Sequence, residues 1–181
     1  MPARETVVFH KERDVRRFVS NLIHHARVSL DLALMDGAEA IQTKAIGNLF
    51  EPYNRSGKGE NGGAKDTGRL AAGFRGVKDD KQLRKVVGNN VSYAAHMEYG
   101  TGPAAGKPKY RPPDGALSGW AARKGKEEEM VNSNIWNFGT KPRRYLRRAF
   151  HEKKRIIPKQ FFKYFAERMR NSVGLDALKR K

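Results

Sequence analysis

Histidines and carboxylates are the side chains of this sequence that could support acid–base or metal chemistry, and their spacing favours neither. The five histidines form no H-E-x-x-H or H-x₃-H ligand pair. His24 and His25 are adjacent in a predicted helix, where consecutive side chains point in different directions. His96 and Glu98 would share a face if their segment were a strand, so a metal or acid–base pair is one interpretation. A structural hydrogen bond or ion pair is the favoured one.

The remaining reactive residue types also have structural explanations. Asp79 and Asp80 fall at a predicted turn, and Glu127–Glu129 fall at a predicted helix start, where acidic residues are expected. The serines lack the context of a nucleophile elbow. The absence of cysteine excludes disulfides, thiolate catalysis and cysteine-based zinc sites. We therefore predict no enzymatic activity, no cofactor, and no catalytic or metal site.

A glycine-rich stretch over residues 54–65 matches a nucleotide-binding pattern only superficially. Gly57, Gly59 and Gly62 fit G-x-G-x-x-G, but no predicted strand precedes them and no apolar helix follows. The stretch is rich in Gly, Ser, Asn and Lys and cannot bury much apolar area. It is interpreted as a flexible loop.

Positive charge is the strongest functional signal in the sequence. The net charge is +18, and residues 143–181 alone carry 14 basic and 3 acidic side chains, a net charge of +11. Such a segment favours contact with a polyanion or an acidic protein surface, although a solubilising face is the alternative. The cations that we predict to contact DNA or another polyanion, without reading its sequence, are Lys58, Lys65, Arg143, Arg144, Arg147, Arg148, Lys153 and Lys154.

Apolar periodicity predicts a long helix near each end of the chain. Apolar residues recur at three- and four-residue steps from Lys11 to about Phe50, which predicts one long helix or two helices in line, with a kink expected at Gly37 if there is one. A second stripe runs from about Arg144 to Val173, and Pro158 should kink or divide that helix. No stretch resembles a signal peptide or a membrane span. We expect a soluble protein from a reducing cytoplasm.

Shorter elements are predicted between the two helices. Asp66 or Thr67 should cap a short helical turn, and two strands over residues 74–78 and 83–88 should form a hairpin. Residues 91–99 fit either a third strand or a short helix. An insertion over residues 103–139 should contain short helices at 116–124 and 127–138. The fold class is α+β, with both long helices packed on a small antiparallel sheet. A single domain over 1–181 is predicted, with an N-terminal arm at 1–10 and a basic tail at 174–181.

Three segments, in this order, resemble the tail-completion (neck, or head–tail joining) proteins of long-tailed bacteriophages. Residues 66–70 read D-T-G-R-L, residues 87–101 read V-G-N-N-V-S-Y-A-A-H-M-E-Y-G-T, and residues 139–150 read G-T-K-P-R-R-Y-L-R-R-A-F. The middle segment is the most specific. The third differs from the family pattern, since arginine stands at 144 and 148 where the family usually has proline. This makes the segment more basic and less rigid.

The resemblance implies a structural virion protein made in the cytoplasm of a bacterial host. Such a protein would form a ring, commonly a hexamer, at the head–tail junction. Its partners would be neighbouring connector or adaptor proteins, tail-terminator or tail-tube proteins, and the genomic DNA in the lumen. Glu98 would pair with an arginine such as Arg69, Arg143 or Arg144. The residues expected to make oligomer or scaffold contacts are Asp66, Arg69, Tyr93, Glu98, Tyr99 and Tyr145.

Two other classes of function stay open at the level of sequence. A basic protein that binds nucleic acid without sequence specificity would explain the charge but not the three ordered segments. A small enzyme or nuclease would need a carboxylate or histidine cluster, which the sequence does not assemble.

Overall fold

The computed structural model describes residues 12–51, 68–79 and 83–172. It confirms the predicted α+β class: the described residues contain a long N-terminal helix, a C-terminal helix and a two-stranded antiparallel sheet. Several predicted features lie outside the described residues. These are the arm, the glycine-rich loop, the basic tail, the cap at Asp66 or Thr67, residues 80 and 81 of the hairpin turn predicted at 79–81, and the candidate contacts Lys58 and Lys65; Asp79 of that turn is the last residue of the first strand.

The described residues form helices and strands close to the predicted positions. The helices are α1 (Glu12–Phe50), α2 (Arg69–Ala72), α3 (Ala94–Tyr99), α4 (Ser118–Arg123), α5 (Glu128–Phe138), α6 (Tyr145–Lys153) and α7 (Ile156–Ser172). A 3₁₀ turn spans Pro103–Ala105, and the antiparallel strands are β1 (Phe74–Asp79) and β2 (Arg84–Asn89).

The C-terminal helix is divided, as Pro158 predicts, but the break lies before the proline. Helix α6 ends at Lys153 and α7 begins at Ile156. Proline has no N–H group to donate to the carbonyl four residues earlier, which belongs to Lys154, and its ring crowds that carbonyl. The chain therefore leaves the helix there and starts a new one with Pro158 in the first turn.

The segment that fits either a strand or a helix is a helix. The carboxamide of Asn89 accepts the backbone N–H of Val91 at 3.0 Å, which turns the chain away from β2. The last residue of helix α3 is Tyr99, and the helix is followed by Gly100, whose φ is +67°. Among the described residues the sheet has two strands.

The described residues divide into two compact units, and a single domain stays a prediction. The terminal unit contains residues 12–37, 78–79, 83–85 and 155–172, and the central unit contains residues 38–51, 68–77 and 86–154. The core of the central unit is one cluster of apolar side chains drawn from α1, α2, β1, α3 and α6. Its buried members are Ile41, Ala45, Leu49, Leu70, Phe74, Ala94, Tyr145 and Ala149.

Packing and polar contacts hold the terminal unit together, and two of these contacts join segments that are far apart in sequence. The side chain of Lys85 is 6% exposed, and its ammonium forms a 2.6 Å ion pair with Asp31. The hydroxyl of Tyr164 donates a hydrogen bond to the carboxylate of Asp36. Gly37 lies against the side chain of Ile157, which occupies the space that a β-carbon at position 37 would need. Glycine in this helix is therefore explained by close packing.

Two glycine-to-alanine substitutions in α1 should have opposite effects on stability. Gly47→Ala should raise the free energy of unfolding by about 0.5–1 kcal/mol, because alanine favours the helix and nothing lies within 4 Å of the added carbon. Gly37→Ala should lower it by about 1–2 kcal/mol, since the overlap with Ile157 outweighs the same helix-propensity gain. Urea unfolding of both variants measures the difference. Equal stability of the two variants would contradict the packing at Gly37.

Candidate interaction surfaces

The C-terminal part of the middle segment and the third segment are joined by a short bridge in the central unit. Thr101 and Thr140 form an antiparallel pair through two backbone hydrogen bonds of 3.0 Å. Their hydroxyl oxygens are also 2.9 Å apart and hydrogen-bonded. We call this pair the threonine bridge. It fixes the end of α3 next to the chain that leaves α5.

Glycines around the threonine bridge adopt a backbone conformation that other residues rarely reach. Gly100, Gly102 and Gly139 have φ values of +67°, +57° and +73°, with ψ values of 175°, −156° and −173°. This region of φ/ψ space is essentially restricted to glycine. Added β-carbons would overlap the carbonyl of Thr140 at Gly100 and the carbonyl of Thr101 at Gly139. The glycines are therefore required for the two chain segments to approach each other.

Glu98 fixes the start of α6. Its carboxylate oxygens accept the backbone N–H groups of Leu146 and Arg147, both at 2.9 Å, and the residue is 5% exposed. The first N–H groups of a helix lack partners within the helix, and the helix dipole favours negative charge there. The sequence suggested an ion pair between Glu98 and an arginine. In the structure the carboxylate instead caps a helix 47 residues away in sequence, which begins at Tyr145.

The possible pairing of His96 with Glu98 is not formed, because their segment is a helix and not a strand. Residues two positions apart on a helix do not face each other. Glu98 is buried against α6, whereas His96 is exposed and its ring lies 4.8 Å from the ring of Tyr110. Within the described residues, no group of three or more histidine or acidic side chains is arranged to hold a metal ion.

Tyr145 is a scaffold residue of the central unit. It is 2% exposed, and its ring contacts the ring of Phe74 edge-on at 5.9 Å. Its backbone carbonyl accepts the carboxamide of Asn48 at 2.9 Å, and its hydroxyl donates to the carbonyl of Ala94 at 3.4 Å. Burial, and then the charge of Glu98, raise the pKa of Tyr145 to about 12. The hydroxyl therefore stays protonated and remains a donor.

The first segment is attached to the middle one by Asn89. Its carboxamide donates to the carbonyl of Leu70 at 2.6 Å, and Leu70 belongs to the buried core. The backbone N–H of Asn90 donates to the carbonyl of Gly73 at 3.0 Å. The described parts of all three segments therefore lie in one hydrogen-bonded framework. Asp66 lies outside the described residues, and the side chain of Arg69 is exposed.

Arg144, one of the cations predicted to contact DNA or another polyanion, has an unusual backbone conformation. Arg144, immediately before α6, has a φ of +52° and is the non-glycine residue with positive φ in the described part of the chain. Such a conformation costs a residue with a side chain roughly 1–2 kcal/mol. The strain is offset by two backbone hydrogen bonds to α3: Arg143 donates to the carbonyl of Met97 at 2.9 Å, and Arg144 to that of Glu98 at 3.1 Å.

The cations in and beside α6 differ in how exposed they are to solvent. The side chains of Arg144, Arg147 and Lys154 are exposed, and those of Arg143 and Lys153 are half-buried. Arg148 forms a 2.8 Å ion pair with Glu51, so its charge already has a partner inside the chain. Arg148 is itself exposed but already paired, so we reserve the name exposed α6 cations for Arg144, Arg147 and Lys154, of which Arg147 lies in α6 and the other two flank it.

Glu51 belongs to a chain of four charged groups at the end of α1. Lys44 pairs with Glu51 at 3.0 Å and with Glu152 at 3.4 Å. The hydrogen bond from Lys44, and then that from Arg148, lower the pKa of Glu51. The hydrogen bond to Glu51 raises the pKa of Lys44 above its usual range. These groups are partly exposed, so the network orients α6 on α1 more than it stabilises the fold.

Comparison of the chain with protein-family models, with curated protein sequences and with solved structures found no significant match. In the part of the chain that the structure describes, no helix is both long enough and apolar enough to cross a membrane.

Proposed function

We propose that this protein is a structural subunit of a tailed-bacteriophage neck, forming a ring at the head–tail junction that completes the tail or connector and lets DNA pass. The proposal rests on the structural role of the three segments that resemble the neck-protein family. Their described residues join α2, β2, α3 and the start of α6 through the threonine bridge, the Glu98 cap and the Asn89 contact. Residues that resemble a structural family therefore serve a structural purpose in this chain.

The exposed α6 cations are the best candidates for contact with DNA in the lumen. Phosphates can be contacted by arginine and lysine without recognition of base sequence, which suits a channel through which any sequence must pass. Arg148 is a weaker candidate, because it would have to leave Glu51 before binding a phosphate. Tyr93 and Tyr99, 38% and 61% exposed, are available for contacts between subunits.

The proposal is tested in a phage or prophage whose genome encodes this chain. A stop codon early in the gene should yield DNA-filled heads and separate tails, and supplying the intact chain in trans should restore joined particles. Electron cryo-microscopy of the joined particles should then show density for the chain as a ring in the neck. Normally joined particles from the mutant genome, or purified particles that lack the chain, would refute the proposal.

A basic protein that binds nucleic acid without sequence specificity is the second candidate, and the exposed α6 cations favour it. In that case the isolated chain should bind random duplex DNA with a steep dependence on salt. Loss of two phosphate contacts in Arg147→Gln/Lys154→Gln should reduce the slope of log K against log salt by about 2. Lys126→Gln/Lys141→Gln removes the same charge from exposed positions outside α6 and should leave most of the slope. Equal slopes for both variants would argue against a binding site on α6.

A further inference from the structure

Two exposed aromatic side chains lie near the threonine bridge, one on each of the two chain segments that it joins. Tyr99 ends α3, and Trp136 lies in the last turn of α5. Their exposed fractions are 61% and 42%. Single exposed apolar residues are common on proteins, but an exposed ring on each of two adjoining segments indicates a surface that becomes covered. Tyrosine and tryptophan are also the residues that most often dominate protein–protein binding energy.

Two lysines complete this patch. The ammonium of Lys107 lies 5.6 Å from the centre of the Tyr99 ring and donates to the carbonyl of Gly100 at 3.0 Å. The ammonium of Lys109 lies 5.6 Å from the centre of the Trp136 ring. We call Tyr99, Lys107, Lys109 and Trp136 the aromatic–lysine surface. The contact of Gly102 with Gly139, where an added β-carbon would lie 3.0 Å from the Gly139 α-carbon, keeps the lysine-bearing chain beside α5.

The charge of this surface indicates what covers it. Neither ammonium has a carboxylate partner among the described residues, and the chain as a whole carries +18. A covering surface without carboxylates would bury two unpaired cations, which is costly. A covering surface with carboxylates would pair them and could place its own apolar groups on the aromatic rings.

We propose that the aromatic–lysine surface binds an acidic protein partner, which places carboxylates next to Lys107 and Lys109 and apolar side chains against the two rings. A nucleic acid fits less well. Base stacking needs open aromatic faces, whereas one face of Tyr99 and one face of Trp136 already carry an ammonium group. The surface is separate from the exposed α6 cations, and the proposal holds whether or not the chain is a neck subunit.

The chain has two tryptophans, so Trp120→Phe leaves Trp136 as the single tryptophan, and it can be excited at wavelengths where tyrosine does not absorb. The probe is a random copolymer of glutamate and tyrosine, titrated into the full chain. Binding should shift the Trp136 emission to shorter wavelength. Lys107→Gln/Lys109→Gln and Tyr99→Ser should each weaken binding about tenfold or more, as expected for residues at the centre of an interface.

Two matched variants outside the surface separate it from general charge attraction. Lys126→Gln/Lys141→Gln removes the same charge from exposed positions outside α6, and Phe150→Ser removes a phenylalanine that is 48% exposed. Each should weaken binding less than about threefold, as expected for residues outside the interface. Equal weakening by the two lysine pairs, equally tight binding of polyglutamate, or tighter binding of oligothymidylate with the same emission shift would each overturn the proposal. Calorimetric titration of the natural chain and the same variants gives this comparison if Trp120→Phe does not fold.

Discussion

Gly139→Ala should lower the free energy of unfolding of the central unit by about 3–5 kcal/mol, the largest effect expected of a single methyl group in this chain. Two costs add. The backbone at Gly139, with φ +73° and ψ −173°, is in a region that alanine avoids. The new carbon would also meet the carbonyl of Thr101 and lie 2.9 and 3.0 Å from backbone atoms of Gly102. Backbone atoms cannot swing aside as a side chain can, so the threonine bridge has to open.

Gly106→Ala is the matched control for this substitution. Gly106 also has a positive φ of +67°, but nothing lies within 4 Å of an added β-carbon. It should lose only about 1–2 kcal/mol, the cost of the left-handed conformation itself. Urea unfolding followed by circular dichroism measures both variants. A Gly139→Ala protein no less stable than Gly106→Ala would show that the close approach of the two segments is not required.

Glu98→Ala should lower the free energy of unfolding by about 3–4 kcal/mol, and Glu98→Gln by about 2 kcal/mol. Alanine leaves the N–H groups of Leu146 and Arg147 without their acceptor in a buried place. Glutamine keeps one acceptor oxygen but loses the charge that the helix dipole favours, and its NH₂ group faces a donor. The same loss should appear locally, as faster hydrogen exchange of these two amides.

Glu39→Gln is the control for the loss of negative charge. Glu39 lies on the exposed side of α1 in the central unit, and its substitution should change stability by less than about 0.5 kcal/mol. If Glu98→Gln behaves like Glu39→Gln and the amides of Leu146 and Arg147 also exchange at unchanged rates, the capping role of Glu98 is wrong. Retained stability with faster exchange would limit that role to the first turn of α6.

The elements that the sequence predicts well are those whose signal is local. The apolar repeat from Lys11 to Phe50 predicts α1 to within a residue, because a helix buries one face at a fixed period. The hairpin follows from two alternating stretches around Asp79. Pro158 predicts the division between α6 and α7 because its effect reaches only four residues back. Residues 91–99 were ambiguous, since a run of nine residues can satisfy either period.

The candidate surfaces are built by contacts between residues that are far apart in sequence. The spacing of apolar residues along the chain gives no information about such contacts. Glu98 could be singled out from its motif, but the backbone groups that it accepts lie 48 and 49 residues away. The threonine bridge joins residues 39 positions apart. A signal for it was present: G-T-x-P occurs twice, at residues 100–103 and 139–142, and the two copies pair. Nothing local indicated the positive φ of Arg144 or the ion pair that occupies Arg148.

The threonine bridge brings together the two ends of the chain that lies between Thr101 and Thr140, and we call this chain the cassette. The polypeptide leaves α3 and returns to α6 at neighbouring points, so α4, α5 and the 3₁₀ turn form a closed excursion. The entropy of closing such an excursion grows only with the logarithm of its length. Residues can thus be gained, lost or exchanged there while the Glu98 cap and the core keep their geometry. Since three of the four residues of the aromatic–lysine surface lie in the cassette, partner choice can diverge between related chains without any redesign of the framework.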